Sequence, residues 1–249
     1  MSENPVRVLV WDEAPPHAPK SVYPNSLNGA IAEGLNEMGA GAIFAKTANL
    51  DDPDQGITAA ILAETDVLIW WGHARHAEVA DEKAELIKAA VHKGLGFIPL
   101  HSAHYSKPFQ KVLDCTGNLY GGWREATNPA DTEEIRVCAP KHPIALGVSD
   151  FVLPAEEMYG APFGVPPALV TIFQSYFPLG GEYFPSFVVT VGEGIDPEFT
   201  CGPGGGANQG KGAGRVFYFR PGHESYPTYF DANVRKVIHN GVLWAAGRS

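Results

Sequence analysis

Basic residues are scarce in this chain. Its 249 residues include 18 Lys and Arg against 28 Asp and Glu, a formal net charge of −10. No basic run offsets that balance, which argues against nucleic acid and an anionic membrane surface as partners, because both attract Lys/Arg patches. Charged residues of both signs reach only 18%, below a usual figure of about 25%. Cysteine is sparse too: Cys115, Cys138 and Cys201 are odd in number, widely spaced and without a CxxC. They read as buried or free thiols in a reducing compartment and not as a disulfide framework. No segment approaches the roughly 18 apolar residues of a membrane span. The start, MSENPVRVLVWDE, has neither the positive region nor the long apolar stretch of a signal peptide. These absences imply a cytoplasmic globular protein.

What the chain does have is apolar residues, at 45%, enough for a sizeable core. We expect one domain over residues 1–249 and find no internal repeat. The first half alternates short apolar runs with helical periods. Val6–Trp11 is a run broken only by Arg7, as a strand covered on both faces would be. A helix is expected over Leu27–Met38, with Gly39 as its stop. A weak strand over Ala42–Ala45, a short helix over Ile57–Ala63 and a strand over Asp66–Trp71 follow. Asp81 is the expected cap of the next helix and Gly94 its end. Gly96–Leu100 is a strand, and a helix runs from about Ser106 to Leu113. This order predicts an α/β fold: a doubly wound, mostly parallel sheet with helices on both faces.

From Gly117 to Gly194 the sequence is rich in Pro, Gly and aromatics, and its period shortens. Ile135–Cys138, Leu169–Gln174 and Phe187–Val191 read as strands of an antiparallel, loop-rich elaboration of the sheet. The aromatic content makes this segment the candidate homo-oligomer interface. Gly202–Gly214 (GPGGGANQGKGAG) reads as a loop, a candidate lid. It lacks GxxxxGK[ST], so no nucleotide cofactor is expected. Val216–Phe219 returns as a buried strand, and Asp231–Ala246 is the last helix.

Three histidines stand just past expected buried strands: His73 after DVLIWWG, His101 after GLGFIPL, and His223 after GRVFYFRPG. In a parallel α/β sheet the crevice outside the strand C-termini binds ligands, so these imidazoles can meet in one pocket. Imidazole transfers protons near neutral pH and also ligates metals. Taken singly each reads as a structural histidine. It is their common placement that favours function. His17, His76, His92, His142 and His239 read as surface or supporting residues.

GFIPLHSAHYSKPF, at Gly96–Phe109, reads as strand, sharp turn and helix start. Class I glutamine amidotransferases place their nucleophile at such an elbow, GxCxGH. Here His101 takes the cysteine position, so thiol chemistry on glutamine is not expected. RPGHESYP, at Arg220–Pro227, puts His223 and Glu224 where those enzymes carry a catalytic histidine and glutamate. Gly72 stands at their oxyanion-hole turn. With GxWRE (Gly121–Glu125), EEMYG (Glu156–Gly160) and GRVFYF, these motifs resemble the ThuA family over nearly the whole chain. The resemblance implies a class I amidotransferase-like, flavodoxin-like three-layer fold. It also implies a role in sugar catabolism, with oxidised (3-keto) disaccharides as the substrate class.

Two chemistries fit. In one, His73, His101 and His223 bind a divalent metal, zinc by ligand type, and Glu157 or Glu224 moves a proton. In the other, His101 and His223 act directly as acid and base, with a glutamate orienting one ring. Catalytic candidates are therefore His101, His223, Glu157 and Glu224. Trp71, His104 and Trp123 are the expected sugar-binding residues, since aromatics suit the apolar faces of sugars. Two further readings stay open: a non-catalytic sugar-binding or regulatory module, and an amidotransferase using Ser102.

Overall fold

The expected buried runs form the middle of one large sheet. The computed structural model describes residues 4–125, 131–179, 184–192 and 213–248. Strands β1 (Val6–Asp12), β3 (Val67–Trp71) and β4 (Gly96–Leu100) are buried almost throughout. Burying a Val, Leu or Ile side chain contributes about 1.5–3 kcal/mol, so these apolar runs are the main drivers of the fold. With β2 (Ile43–Asn49) and β11 (Gly214–Tyr218) they make a parallel half-sheet in the order β2-β1-β3-β4-β11. That is the doubly wound, flavodoxin-like order, and it aligns the strand C-termini on one edge.

Helices cover both faces. On one side α1 (Ser26–Gly39) and α5 (Ala232–Ala245) bury Leu27, Ile31, Leu35, Val234, Val237 and Val242 against Val8, Ile69 and Ile98. On the other, α2 (Ala59–Ala63), α3 (Asp81–Val91) and α4 (Lys107–Leu113) bury Leu62, Ile87, Val91, Phe109 and Val112 against Leu9, Leu68 and Phe97. Local chemistry starts several of these helices. Ser106 Oγ accepts the N–H of Phe109, and Asp231 accepts those of Asn233 and Val234. Asp12, at the end of β1, takes the Ser26 hydroxyl and the Asn28 N–H at the start of α1, a carboxylate suited to a helix N-terminus.

The middle of the chain forms the antiparallel elaboration. Strands β6 (Glu133–Val137), β7 (Phe151–Leu153), β9 (Val170–Tyr176) and β10 (Phe184–Val191) continue the sheet as β11-β10-β9-β6-β7, nine strands among the described residues. A ribbon of β5 (Trp123–Arg124) and β8 (Met158–Tyr159) stands apart from it.

Several boundaries differ from the expectation. β2 runs four residues beyond Ala45 because it pairs with β1 along its whole length, Val6 with Ile43 through Asp12 with Asn49. As an edge strand it exposes Lys46 and Thr47, which hides it from a search for apolar runs. Gly39 lies inside α1, and Ala40 supplies the left-handed cap at φ 45°. Asp81 is the first residue of α3 and not its cap; it favours the helix dipole and pairs with Lys107 at 3.0 Å. α3 ends at Val91, and Gly94, at φ 117°, turns the chain into β4. The glycine-rich candidate lid lies outside the described residues up to position 212, as does Cys201. Among the described residues no helix is long and apolar enough to cross a membrane.

Candidate functional site

The site is built on the elbow after β4. Leu100 is extended, and His101 then takes φ 53°. A non-glycine residue in the left-handed region costs about 1–3 kcal/mol and persists only where its surroundings enforce it. Here they do: the His101 N–H donates to Phe219 O at 3.0 Å, and His101 O accepts the Tyr218 hydroxyl at 2.8 Å. The turn fixes the His101 side chain at the edge where β3, β4 and β11 end.

The three strand-end histidines meet there. Ring centroids lie 5.3 Å apart for His73 and His101, 5.0 Å for His73 and His223, and 5.5 Å for His101 and His223. Glu157, just before β8, completes the group: one donor atom from each of His73, His101, His223 and Glu157 falls within 4.8 Å of the others. Glu157 Oε2 stands 3.3 Å from His101 Nε2, yet that buried oxygen has no hydrogen-bond partner. The centre is enclosed, with side-chain exposures of 25% for His73, 0% for His101 and 13% for His223.

Glu224 stands behind these groups. It accepts from His73 Nδ1 at 2.9 Å and from His17 Nε2 at 2.7 Å, so that in the neutral His73 ring the lone pair lies on Nε2. Burial opposes the charge on Glu224, but the hydrogen bond from His73 and the surrounding imidazoles hold its carboxyl well below the usual range. Burial likewise opposes protonation of His73, yet Glu224 moves it above the ordinary imidazole value. His101 is held far below that value, first by burial and then by His73 and His223. His223 is lowered by burial, with Glu224 opposing. His223 Nδ1 accepts the Ser225 N–H at 3.1 Å, so its neutral ring carries the proton on Nε2.

A buried ion network fixes the two loops that meet at the centre. Arg220 is fully buried; it donates from Nε to Glu133 at 2.8 Å, from Nη2 to Glu133 and Glu156, and from Nη1 to the carbonyl of Glu157. Glu156 in turn accepts from the Gly222 N–H at 3.0 Å and from the Thr228 hydroxyl. Burial raises the Glu156 carboxyl to about 7, Arg220 opposing and Glu133 reinforcing.

The remaining expected residues fall in different places. Trp71 is buried, donates its indole N–H to Gly222 O at 2.9 Å and stacks 6.4 Å from the His101 ring. It forms the back wall and presents no face to a ligand. His104 is fully buried, held at Nδ1 by Gly117 O at 2.7 Å, and burial pushes it down to about 3. It too sits behind the centre, where a sugar has no access. Trp123 is 58% exposed on β5, across from Tyr159. Ser102 is buried and its hydroxyl hydrogen-bonds to that of Tyr159.

Four contributors escaped the sequence reading. Tyr159 places its hydroxyl 3.0 Å from His101 Nε2; its position inside EEMYG, two residues past Glu157, was the available signal. Glu13, at the end of the β1 run, accepts the N–H groups of His73, Ala74 and Arg75 at 2.8, 2.7 and 2.9 Å. The turn after β3 is therefore held by the protein's own carboxylate. His17 and Arg220 carried no local signal, since their partners are distant in sequence.

The donor set suits a divalent cation. Two ligands about 2.0–2.1 Å from a tetrahedral zinc stand about 3.3 Å apart, which matches the His101–Glu157 separation of 3.3 Å. A charge-assisted hydrogen bond would be shorter, about 2.7–2.9 Å. His73, oriented by Glu224, has the imidazole–carboxylate support common behind metal-binding histidines.

No curated protein matches the sequence. Among solved structures, a ThuA-like protein from Parabacteroides merdae superposes with TM-score 0.59 and 13% identity, over 97% of this chain and 90% of that one. A cytoplasmic protein from Salmonella typhimurium gives 0.54 and 11%, over 96% and 98% of the two chains. A cold-adapted β-galactosidase from Rahnella gives 0.54 and 12%, over 98% of this chain and 32% of that one. At these identities the likenesses concern the fold. The family itself follows from the sequence model for ThuA, described as trehalose utilisation, which matches residues 7–245: the chain belongs to the ThuA family.

Proposed function

We propose that this protein is an enzyme of sugar catabolism that acts on a keto-disaccharide through a metal-assisted histidine centre. The observation that carries the reading is the convergence of His73, His101 and Glu157 with the hydrogen-bond-free Glu157 oxygen at 3.3 Å from His101. An unpaired buried carboxylate oxygen is costly unless something positive meets it. Those three side chains would hold the cation, and zinc fits the imidazole-rich set best. When bound, it supplies a Lewis acid for the carbonyl of a keto-sugar or for a water molecule.

The chain's own groups do the rest. Glu224 keeps the proton of His73 on Nδ1 and so aims Nε2 at the centre. His223, whose Nδ1 accepts the Ser225 N–H, carries its ring proton at Nε2 and is placed to donate a hydrogen bond to a developing oxygen. Ligation by His223 through Nε2 would require surrendering the Ser225 bond, so its role is hydrogen-bond donor more than ligand. Tyr159 steadies the His101 ring, and Trp71 and the elbow exclude water behind it. Trp123 offers an exposed aromatic face beside the ribbon.

The test is metal analysis of protein purified without a histidine tag, followed by turnover of keto- and parent disaccharides before and after chelation. We expect about one zinc-class ion per chain and activity that is lost on chelation and restored by metal. Full activity in rigorously metal-free protein overturns the metal-assisted reading.

A further inference from the structure

The segment that joins β1 to α1 is tied to two of the loops that carry the histidine centre. At its start Glu13 takes the three amides of residues 73–75, and Arg75 Nη1 returns a bond to the Glu13 carbonyl at 2.8 Å. Towards its end the Tyr23 hydroxyl donates to Tyr226 O and accepts the Tyr229 N–H. Between these ties His17 Nε2 donates to Glu224 Oε1 at 2.7 Å, and Glu224 also accepts from His73 Nδ1 at 2.9 Å. We propose that His17 is a positioning residue of this centre: it sets the Glu224 carboxylate and, through it, the tautomer of His73. The inference rests on the histidine-centre reading above and adds to it a residue outside the group that meets the substrate.

Three features support it. The first is stiff backbone: Pro15, Pro16 and Pro19 bracket His17, and proline locks φ near about −65°. Ala14, at φ 48°, turns the chain into the segment, and Ala18 and Val22 pack against the core on the α1 and α5 side. The second is unequal burial. The His17 side chain is 45% exposed and that of Glu224 only 2%, so an imidazole at the surface completes the bonding of a buried carboxylate. An oxygen left unmet there would be costly. The third is the length of the contacts. Charge-assisted hydrogen bonds of this kind run about 2.7–2.9 Å, whereas two zinc ligands stand roughly 3.3 Å apart. His17, His73 and Glu224 bring their donor atoms within 4.8 Å of one another, yet by these lengths they form a support and not a second metal site. Which nitrogen of His73 is protonated depends on the hydrogen bond it makes. A Glu224 freed from His17 can turn from His73 and let the ring exchange its proton between Nδ1 and Nε2.

The experiment records imidazole nitrogen NMR spectra of the metal-free full chain as wild type, His17→Ala and His17→Gln, under conditions that keep His73 neutral. Zinc competition titrations accompany them. Wild-type His73 should carry its proton on Nδ1. His17→Ala should show a mixed Nδ1 and Nε2 population and bind zinc about tenfold more weakly. His17→Gln, whose amide offers a donor of similar reach, should restore the Nδ1 form and bring zinc affinity to within about threefold of wild type. The tautomer decides. An unchanged Nδ1 population in His17→Ala, or an equal loss of it in His17→Gln, overturns the positioning role. A loss of packing alone would not be reversed by glutamine. Failure of the metal-assisted reading shows separately: wild type then binds no zinc, while the tautomer shift in His17→Ala persists.

Discussion

Glu13 accepts the backbone N–H of His73 at 2.8 Å, and the next two amides of the same turn donate to the same carboxylate. The turn after β3 is thus organised around an internal anion. Glu13→Ala should leave three part-buried donors without their carboxylate partner and cost about 1–3 kcal/mol, measured as a drop in urea midpoint. Metal affinity should fall with it, because His73 loses its anchor. Unchanged stability would show that the turn holds itself.

Glu157→Gln separates stability from function. The wild-type oxygen is buried without a hydrogen bond, so the neutral amide should stabilise the metal-free protein by about 1 kcal/mol. The same change should weaken zinc binding by about tenfold or more. Thermal melts and zinc competition titrations read the two effects. A variant that is less stable yet binds zinc normally contradicts the role given to Glu157.

Arg220→Met should be among the most damaging substitutions outside the centre. It strands Glu133 and Glu156 in the interior and frees the Glu157 carbonyl. Removing one partner of a buried ion network costs about 3–5 kcal/mol. Equilibrium denaturation checks it, and Glu133→Leu in the same chain should recover part of the loss.

The Arg7–Asp66 pair makes a pH prediction away from the site. The hydrogen bond from Arg7 holds the Asp66 carboxyl below its ordinary value, burial opposing. A depressed folded value means that the stabilisation is complete above the unfolded pKa of about 4 and lost as pH falls through the folded one. Because both side chains are partly exposed, at 47% and 34%, solvent screening limits the effect to about 0.5–1 kcal/mol. Wild type and Asp66→Asn should therefore differ by that amount at pH 7 and converge near pH 2. A constant gap across the range would assign the effect to something other than charge.

The parallel half of the fold was legible because its signal is local. VRVLVW, DVLIWW and GFIPL are apolar runs long enough for a strand covered on both faces, and each became one. Edge strands were harder to read: β2 pairs as far as Asn49 but alternates polar residues outward, and β5, β7 and β8 are two or three residues long. Such strands are defined by their neighbours' hydrogen bonds and not by their own composition.

The candidate site divides along the same line. By itself the sequence determined which residue types end the strands: imidazoles at 73, 101 and 223, and a histidine where an amidotransferase elbow has its cysteine. Strand-end placement follows from chain order, so it can be read along one dimension. Only the tertiary structure decided which atoms face one another. Glu157 reaches His101 across 56 positions, Glu224 reaches His73 across 151, and Arg220 reaches Glu133 across 87. Tautomers, buried charge and the unpaired carboxylate oxygen belong to those long-range contacts. They arise only once hydrophobic burial has closed the chain on itself, and no periodicity in the sequence encodes them.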